Sequence, residues 1–390
     1  MRRQLAAALV MAGNLSFPAR VRAEALLATD AWTNQPALPV AISRHRIVSA
    51  GSALLAIGGR DRFGKSQAAV FRSVLASGGG CGAWVRDRPL PAPLSDHAVA
   101  TVNGRLFIAG GLKGGKTGDT PTDEVWTTTP GTDGSLPAWA RAGSLPEPMQ
   151  GHGLVAVGGR LYCVAGMGLS GCRSAVSVSQ PGGDGRLGDW HPVTGLPAAV
   201  SQAAVLGMES TGGKDGSVRR YLVVIGGMSP GEGKTLVLPT AYVGPVFPDG
   251  SIPTWYLAST KLPGAWLGFG RCQTAPVAWH DTLFCFGGQD SLWFQLDTIV
   301  ASRFNAARGE LAPWGVVKGG SEMPQVTAAV VVKDSVYLVG GSVKGEVSAR
   351  VFRGKFSEVE DEYAPRHPGG SPPHGRGPGG CADPGMEHRG

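Results

Sequence analysis

Six times along this chain a tryptophan is followed by a Leu-Pro or Met-Pro pair and then by apolar runs that end in glycine. Trp32, Trp84, Trp139 and Trp190 precede Leu38-Pro39, Leu90-Pro91, Leu145-Pro146 and Leu196-Pro197 by six residues each. Trp255 precedes Leu262-Pro263 by seven, and Trp314 precedes Met323-Pro324 by nine. Glycine pairs close the runs at Gly58-Gly59, Gly110-Gly111, Gly226-Gly227, Gly287-Gly288 and Gly340-Gly341, with Gly166-Met167 the departure. A repeat of 51 to 65 residues is one supersecondary unit that cannot bury its apolar face alone, so neighbouring copies must stack.

The pattern inside one copy identifies the unit. Residues 98–102 and 105–109 alternate as short strands around Asn103-Gly104, a strong hairpin signal. A third strand over 124–129 and a fourth beginning near Trp139 complete an antiparallel four-stranded meander. The second strand is apolar at almost every position, which requires cover on both faces. With 61 glycines, 29 prolines and only 17% charged residues, many short strands joined by tight turns are expected, and no helical periodicity of useful length is present. Four strands per repeat, arranged radially, make a β-propeller blade.

The glycine pair, the distant tryptophan and the histidine heading the first strand resemble kelch repeats. The segment before the tryptophan, Asp133-Gly134 ahead of Trp139, Asp184-Gly185 ahead of Trp190 and Asp249-Gly250 ahead of Trp255, resembles the kelch-like repeats of bacterial exported proteins. The resemblance covers about residues 28–355 and implies an all-β, six-bladed kelch-type β-propeller with four antiparallel strands per blade. Trp32 has no glycine-pair strands before it, and the last repeat has a third strand over 349–355 with no tryptophan after it. The N-terminal strand around Trp32 is therefore expected to be the outer strand of the sixth blade, closing the ring and leaving no open edge.

Outside the repeats, Arg2-Arg3, the apolar run 5–13 and Val21-Arg22-Ala23 read as a secretory signal peptide over residues 1–23. That predicts an exported protein, periplasmic or secreted; the alternative is a cytoplasmic one. Residues 24–363 form the propeller, and 364–390 a disordered Gly/Pro-rich tail, with 14 glycines and prolines among residues 365–390. Residues 209–217 read as a polar insertion in repeat four. Of the six cysteines, most stand at apolar strand positions and read as small hydrophobes; Cys163 and Cys172, flanking a glycine-rich hairpin, are the candidate disulfide. The formal charge of +7 falls to +3 without the four arginines of the leader. No basic run interleaved with aromatics follows, which argues against nucleic acid as a partner, and no segment reaches membrane-spanning length.

Ligands of a propeller gather where the loops entering each first strand and those leaving each second strand surround the channel. The entering loops are 38–45, 90–97, 145–152, 196–202, 262–274 and 323–327. On them, Arg44, Arg46 and Arg271, with Asp96, Glu147 and Asp290 from the same face, offer arginine for an acidic group and carboxylates for proton transfer. In repeat five, Trp266, Phe269 and Arg271 are expected to face Trp293 and Phe294, a set able to stack on a sugar or anchor a peptide. His45, His97 and His152 hold equivalent positions, matched in the other repeats to Gln202, Thr274 and Thr327. The resemblance implies structural histidines bonded to a neighbouring loop rather than a metal centre. The copper-radical chemistry of some kelch-type propellers would need a tyrosine on an entering loop, where none stands. No cofactor and no metal are expected. The function expected is a monomeric protein- or glycan-binding module with no integral membrane contact; the alternative is a carbohydrate-active enzyme resembling the sialic acid mutarotases, which are six-bladed kelch-type proteins.

Overall fold

Among the described residues the glycine-pair repeat builds antiparallel sheets, six of them with four or five strands and three smaller; of the six, all but the last are drawn from consecutive stretches of chain. The computed structural model describes residues 32–116, 118–210, 217–259, 261–263, 270–317 and 323–356. The expected signal peptide and tail lie outside the described residues, as do Trp266 and Phe269. All elements among the described residues are strands, as the composition predicts.

In the second sheet the order is Ala140–Ser144, Glu124–Thr128, Arg105–Ala109, Ala98–Val102, the meander read from the alternation. The first, fourth and fifth sheets follow the same order from inner strands Arg46–Ala50, Ala204–Ser210 and Ala275–Trp279. The third is built on Gly153–Val157 and the sixth on Ala328–Val332. The sixth sheet takes its fourth strand from the other end of the chain: Thr33–Gln35 pairs with Val351–Lys355, Thr33 opposite Arg353. Each inner strand lies against the inner strand of the next sheet, and Ala328–Val332 lies against Arg46–Ala50.

The core is correspondingly divided into wedges between sheets. Leu55, Ile57 and Val70 of the first sheet pack on Leu106 and Ile108 of the second; Val336 and Leu338 of the sixth pack on Phe284 and Phe286 of the fifth. A further wedge joins Tyr337 and Val339 of the sixth sheet to Leu54 and Phe71 of the first. Ala53–Ile57, Thr282–Phe286 and Ser335–Val339 are buried at every residue, because the second strand has a sheet on both faces.

The recurrent motifs are joints between sheets. In the Asp-Gly segments, Asp133 Oδ1 accepts the Ser135 N–H and hydroxyl at 3.0 and 2.6 Å, and Asp249 does the same for Ser251 at 2.9 and 2.7 Å, an Asx turn. Tyrosines of the preceding sheet cap such turns: Tyr162 donates to the Gly250 carbonyl at 2.9 Å, and Tyr221 to that of Ala306, in the corresponding turn held by Asn305, at 2.8 Å. From the sixth sheet, Tyr337 donates to the Gly79 carbonyl in the first at 2.5 Å. The indoles of Trp84, Trp190 and Trp255 donate to carbonyls of Pro36, Ser144 and Thr194 at 2.8–2.9 Å. Each of these bonds again crosses from one sheet to the sheet before it.

Two sequence expectations need correction. Cys163 and Cys172 are free thiols. They sit on different rungs of the ladder, Cys163 opposite Ser177 and Cys172 opposite Met167, so their sulfurs cannot meet. The insertion expected over 209–217 is shorter, because Glu209 and Ser210 continue the strand opposite Arg220 and Arg219; residues 211–216 lie outside the described residues.

Candidate functional site at the channel mouth

The entering and leaving loops of each sheet are paired, so they share one face. Ser43 bridges Arg60, Leu94–Ser95 pairs with Leu112–Lys113, Met149–Gln150 with Met167 and Gly168, Ser201 with Met228, and Cys272 with Gln289. Successive entering loops are also tied to one another. The amide of Asp96 donates to the Arg44 carbonyl at 3.2 Å, Gly151 to Asp96 at 3.0 Å, Gln202 to Gly151 at 2.6 Å, and Gln273 to Gln202 at 3.0 Å. These five residues form a girdle of backbone hydrogen bonds along the mouth from the first sheet to the fifth, and all have left-handed backbone, with φ between 51° and 59°. Glycine adopts that conformation freely and a side chain at Gly151 would meet Gln202 Cγ at 2.9 Å. At the other four the conformation is costly, and such strain concentrates where function requires it.

The girdle caps a cavity of about 220 Å³ lined by Arg44, Arg46, Asp96, Gln202, Gln273 and the inner strands. Arg44 Nη1 donates to both Asp96 oxygens at 3.1 and 3.3 Å, which ties the first two sheets together. Arg46 is half-buried inside the channel and donates to the His45 carbonyl at 3.3 Å. Burial pulls its pKa down, an effect opposed by the charge of Asp96. Gln202 Oε1 is buried without a hydrogen-bond partner.

The girdle also corrects the alignment of the histidines. Gly59, Gly111, Gly166, Gly227, Gly288 and Gly341 back onto His45, His97, His152, Ala203, Thr274 and Thr327 respectively. Gln202 therefore matches Arg44 and Asp96 in the ring, and Ala203 takes the histidine position. Each imidazole fills a slot against the first glycine of the previous pair: a Cβ at Gly340, Gly58 or Gly110 would lie 2.7–2.9 Å from Cε1 of His45, His97 or His152. The expected hydrogen bonds to a neighbouring loop are missing. None of the six ring nitrogens makes a well-formed hydrogen bond, although the Val339 carbonyl lies near His45. Burial first, and the Arg46 charge second, lower His45 and His152 to about 3 and His97 well below its ordinary value. No cluster of metal-ligating side chains is present among the described residues.

The remaining sequence candidates separate into structural and presented groups. Arg271 is wholly buried and unavailable to a ligand. Its guanidinium donates to the carbonyls of Pro263, Gly287 and Thr298 at 2.6, 2.8 and 3.1 Å and to the Thr298 hydroxyl at 2.5 Å. Replacing Arg271 with Met is expected to destabilise the fold by about 3 kcal/mol, because buried carbonyls lose a charged donor; a shift in the urea midpoint measures it. Glu147 is held by Arg173 at 2.6 and 2.8 Å, which lowers its pKa. Asp290, also buried, accepts the amides of Leu292 and Phe294 at 2.9 and 3.0 Å and so shapes a turn.

That turn presents its hydrophobic side chains outward. Leu292, Trp293 and Phe294 are exposed, Phe294 by 62%. Phe63 in the leaving loop of the first sheet and Leu169 in that of the third are 71% and 73% exposed. Asp61 holds the Phe63 turn as Asp290 holds its own, accepting the amides of Phe63 and Lys65 at 2.9 and 3.0 Å. Sheets one, three and five thus carry apolar tips on ordered turns around one mouth. Phe63 and Leu169 escaped sequence reasoning because isolated exposed apolar residues carry no periodic signal.

Comparison with known proteins finds relatives with kelch repeats for part of the chain. The chain is 29% identical over 150 residues to Kelch repeat and BTB domain-containing protein 12 of Danio rerio, a match covering 36% of this chain and 24% of that protein. It is 31% identical over 148 residues to Kelch-like protein 33 of Homo sapiens, covering 37% and 26%. With Beta-scruin of Limulus polyphemus it shares 31% over 102 residues, 25% of this chain and 11% of the other. The matched region is thus about a quarter or less of each relative's length. No protein-family model matches the chain. Among solved structures, that titled "Structure of YjhT" superposes with a TM-score of 0.59 at 14% identity over 81% of this chain and 96% of the other, a likeness of fold.

Proposed function

We propose that this chain, a member of the kelch-repeat β-propeller family, is a six-bladed, ring-closed binding module that takes a protein or glycan ligand at the mouth just described. Ring closure is supported by the pairing of Thr33–Gln35 with Val351–Lys355 and by the Tyr337 bond to Gly79. The binding reading is carried by one observation: Phe63, Leu169, Leu292, Trp293 and Phe294 are exposed on turns of a single face. Large apolar side chains held in water on ordered loops are the usual anchors of an interface, and little conformational freedom remains to be lost on binding.

A glycan array and a peptide-display screen test this reading. Ligands recovered by the unaltered protein are expected to bind at least about tenfold more weakly to the double variant Trp293→Ala, Phe294→Ala, a loss typical of anchor residues. Its melting temperature should not change, since both side chains are exposed. Equal recovery by both proteins would remove the tips from the site. Export and a monomeric state belong to the same proposal; N-terminal sequencing of protein collected outside the cytoplasm and gel filtration check them.

A second reading is favoured by the gathering of Arg44, Arg46 and Asp96 around the cavity at the mouth. Arginine and carboxylate converging on one cavity are what an enzyme resembling the sialic acid mutarotases would require. Acceleration of sugar anomerisation, followed by NMR and abolished in Asp96→Asn, distinguishes this reading from simple binding.

A further inference from the structure

We infer that the groove between the leaving loops of the first and second sheets binds a phosphate monoester, held by Lys65, Lys116 and backbone amides of the second loop. The groove shares no lining residue with the cavity under the girdle, and the site goes beyond the binding reading of the apolar tips.

The groove is built from pieces already joined. Residues 60–66 supply one wall, and the other is the turn 114–119 that follows the pairing of Leu112–Lys113 with Thr120–Pro121. A hydrogen-bond network ties the walls together. The Arg60 guanidinium donates to Ser95 Oγ at 3.0 Å and to Asp119 at 3.1 Å. Ser66 Oγ donates to Asp119 at 2.7 Å and lies 2.9 Å from Ser95 Oγ. The Gly114 amide donates to the Pro93 carbonyl at 2.9 Å, and Gln67 bridges Leu94. Both walls are thus fastened to one entering loop before any ligand arrives, which leaves little to be ordered on binding.

Charge in the groove is one-sided. Arg60 and Asp119 neutralise each other. Lys65 and Lys116 are exposed and form no ion pair among the described residues, whereas Lys113 on the same loop is matched by Glu124 at 2.9 Å. Three cations against one carboxylate leave two positive charges. A phosphate monoester, with about one and a half to two negative charges at pH 7, is their complement; a single carboxylate would leave one of them unmet.

The backbone adds a second, independent observation. The amides of Gly115 and Lys116 donate to no group among the described residues, at a turn in which Gly118 donates to the Gly115 carbonyl at 3.4 Å. Successive free amides at a turn make a concavity for an anion. A Cβ at Gly64 or Gly118 would meet no atom within 4 Å, so the groove, of about 870 Å³, has room for the group that carries the phosphate.

Isothermal titration of the full chain at pH 7.5 tests the inference with glucose 6-phosphate, a phosphoserine peptide, glucose, the unphosphorylated peptide and acetate. At least one phosphorylated probe should bind, and which one does so tells whether a sugar or a protein side chain carries the phosphate. Its unphosphorylated counterpart and acetate should each bind at least about tenfold more weakly, since they forgo charge-assisted hydrogen bonds. Lys65→Ala combined with Lys116→Ala should weaken phosphate binding by at least the same factor without changing the melting temperature, because both side chains are exposed. Lys234→Ala, on the leaving loop of the fourth sheet, should bind as the parent does. The inference fails if neither phosphorylated probe binds at about 10 mM, a concentration above even millimolar affinities. It fails equally if acetate or the unphosphorylated counterpart binds as well, if the double lysine variant binds unchanged, or if Lys234→Ala costs as much. The Trp293→Ala, Phe294→Ala protein should bind the phosphorylated probe normally, so the tips and the groove report separately.

Discussion

Lowering the pH from 7 to 5 is expected to remove about 6 kcal/mol of folding stability through His45, His97 and His152 alone, near 2 kcal/mol each. In the folded chain His45 and His152 titrate near 3 and His97 well below its ordinary range, because burial opposes the imidazolium and Arg46 repels it. Unfolded histidines take up a proton near pH 6.5. Above that value neither state binds these protons, and the three residues add no pH dependence. Between about 6.5 and 3 the unfolded chain holds protons that the folded chain refuses, so stability falls by about 1.4 kcal/mol per pH unit per histidine. Against a total of about 5–15 kcal/mol for a typical domain, such a loss is decisive. Urea titrations at pH 7, 6 and 5 measure it. His97→Thr adopts the residue that Thr274 and Thr327 already place at this position and should remove about a third of the slope, whatever its own cost at pH 7. An unaltered slope in that variant would refute the account.

The second large effect concerns the strand supplied from the N-terminal side. A chain beginning after Leu38 loses the pairing of Thr33–Gln35 with residues 351–353. It also loses the bond from the Trp84 indole to the Pro36 carbonyl and that from the Cys81 amide to Gln35 Oε1, both 2.9 Å. Trp32, which lies over Gly354 and edge-on to Phe286 at 6.2 Å, goes with it, as does the buried Leu38. Two apolar side chains at about 1.5–3 kcal/mol each and several hydrogen bonds at about 1 kcal/mol each together give a loss of roughly 5–8 kcal/mol. The truncated protein should melt far below the parent, and adding back the missing segment as a peptide should recover part of the difference. Identical melting curves for the two proteins would mean that the sixth sheet does not need its fourth strand.

The fold was legible because its signals are local and repeated. Asn103-Gly104 marks a hairpin, apolar alternation marks the strands, and the recurring tryptophan sets the period. The mouth was only partly legible, for physical reasons that differ by residue. Arg44 and Arg46 were placed by counting from the Leu-Pro pair, and both do line the cavity. Arg271 satisfied the same count, but the carbonyls of Pro263, Gly287 and Thr298 draw its guanidinium inward, and backbone acceptors leave no mark in the order of side chains. The role of Gln202 was hidden by a one-residue slip: left-handed backbone is announced by Gly151 but not by arginine, aspartate or glutamine. The clue was the glycine of the third repeat, standing where other repeats carry large polar residues. The three tyrosines read as plain second-strand residues, because a hydroxyl reaching the turn of the next sheet depends on the arc between sheets.

The pairing of Thr33 with Arg353 has a consequence for how the protein comes into being. These partners stand 320 residues apart, so the earliest described strand waits for one of the last before it can be placed. At the pace of synthesis of about 5–20 residues per second, that interval lasts roughly 15–60 s. Throughout it Thr33–Gln35 has no partner strand, and the face of the first sheet that packs on the sixth is uncovered. A newborn chain therefore passes through a long open-ended stage in which the strand of a second chain competes with its own for the same place.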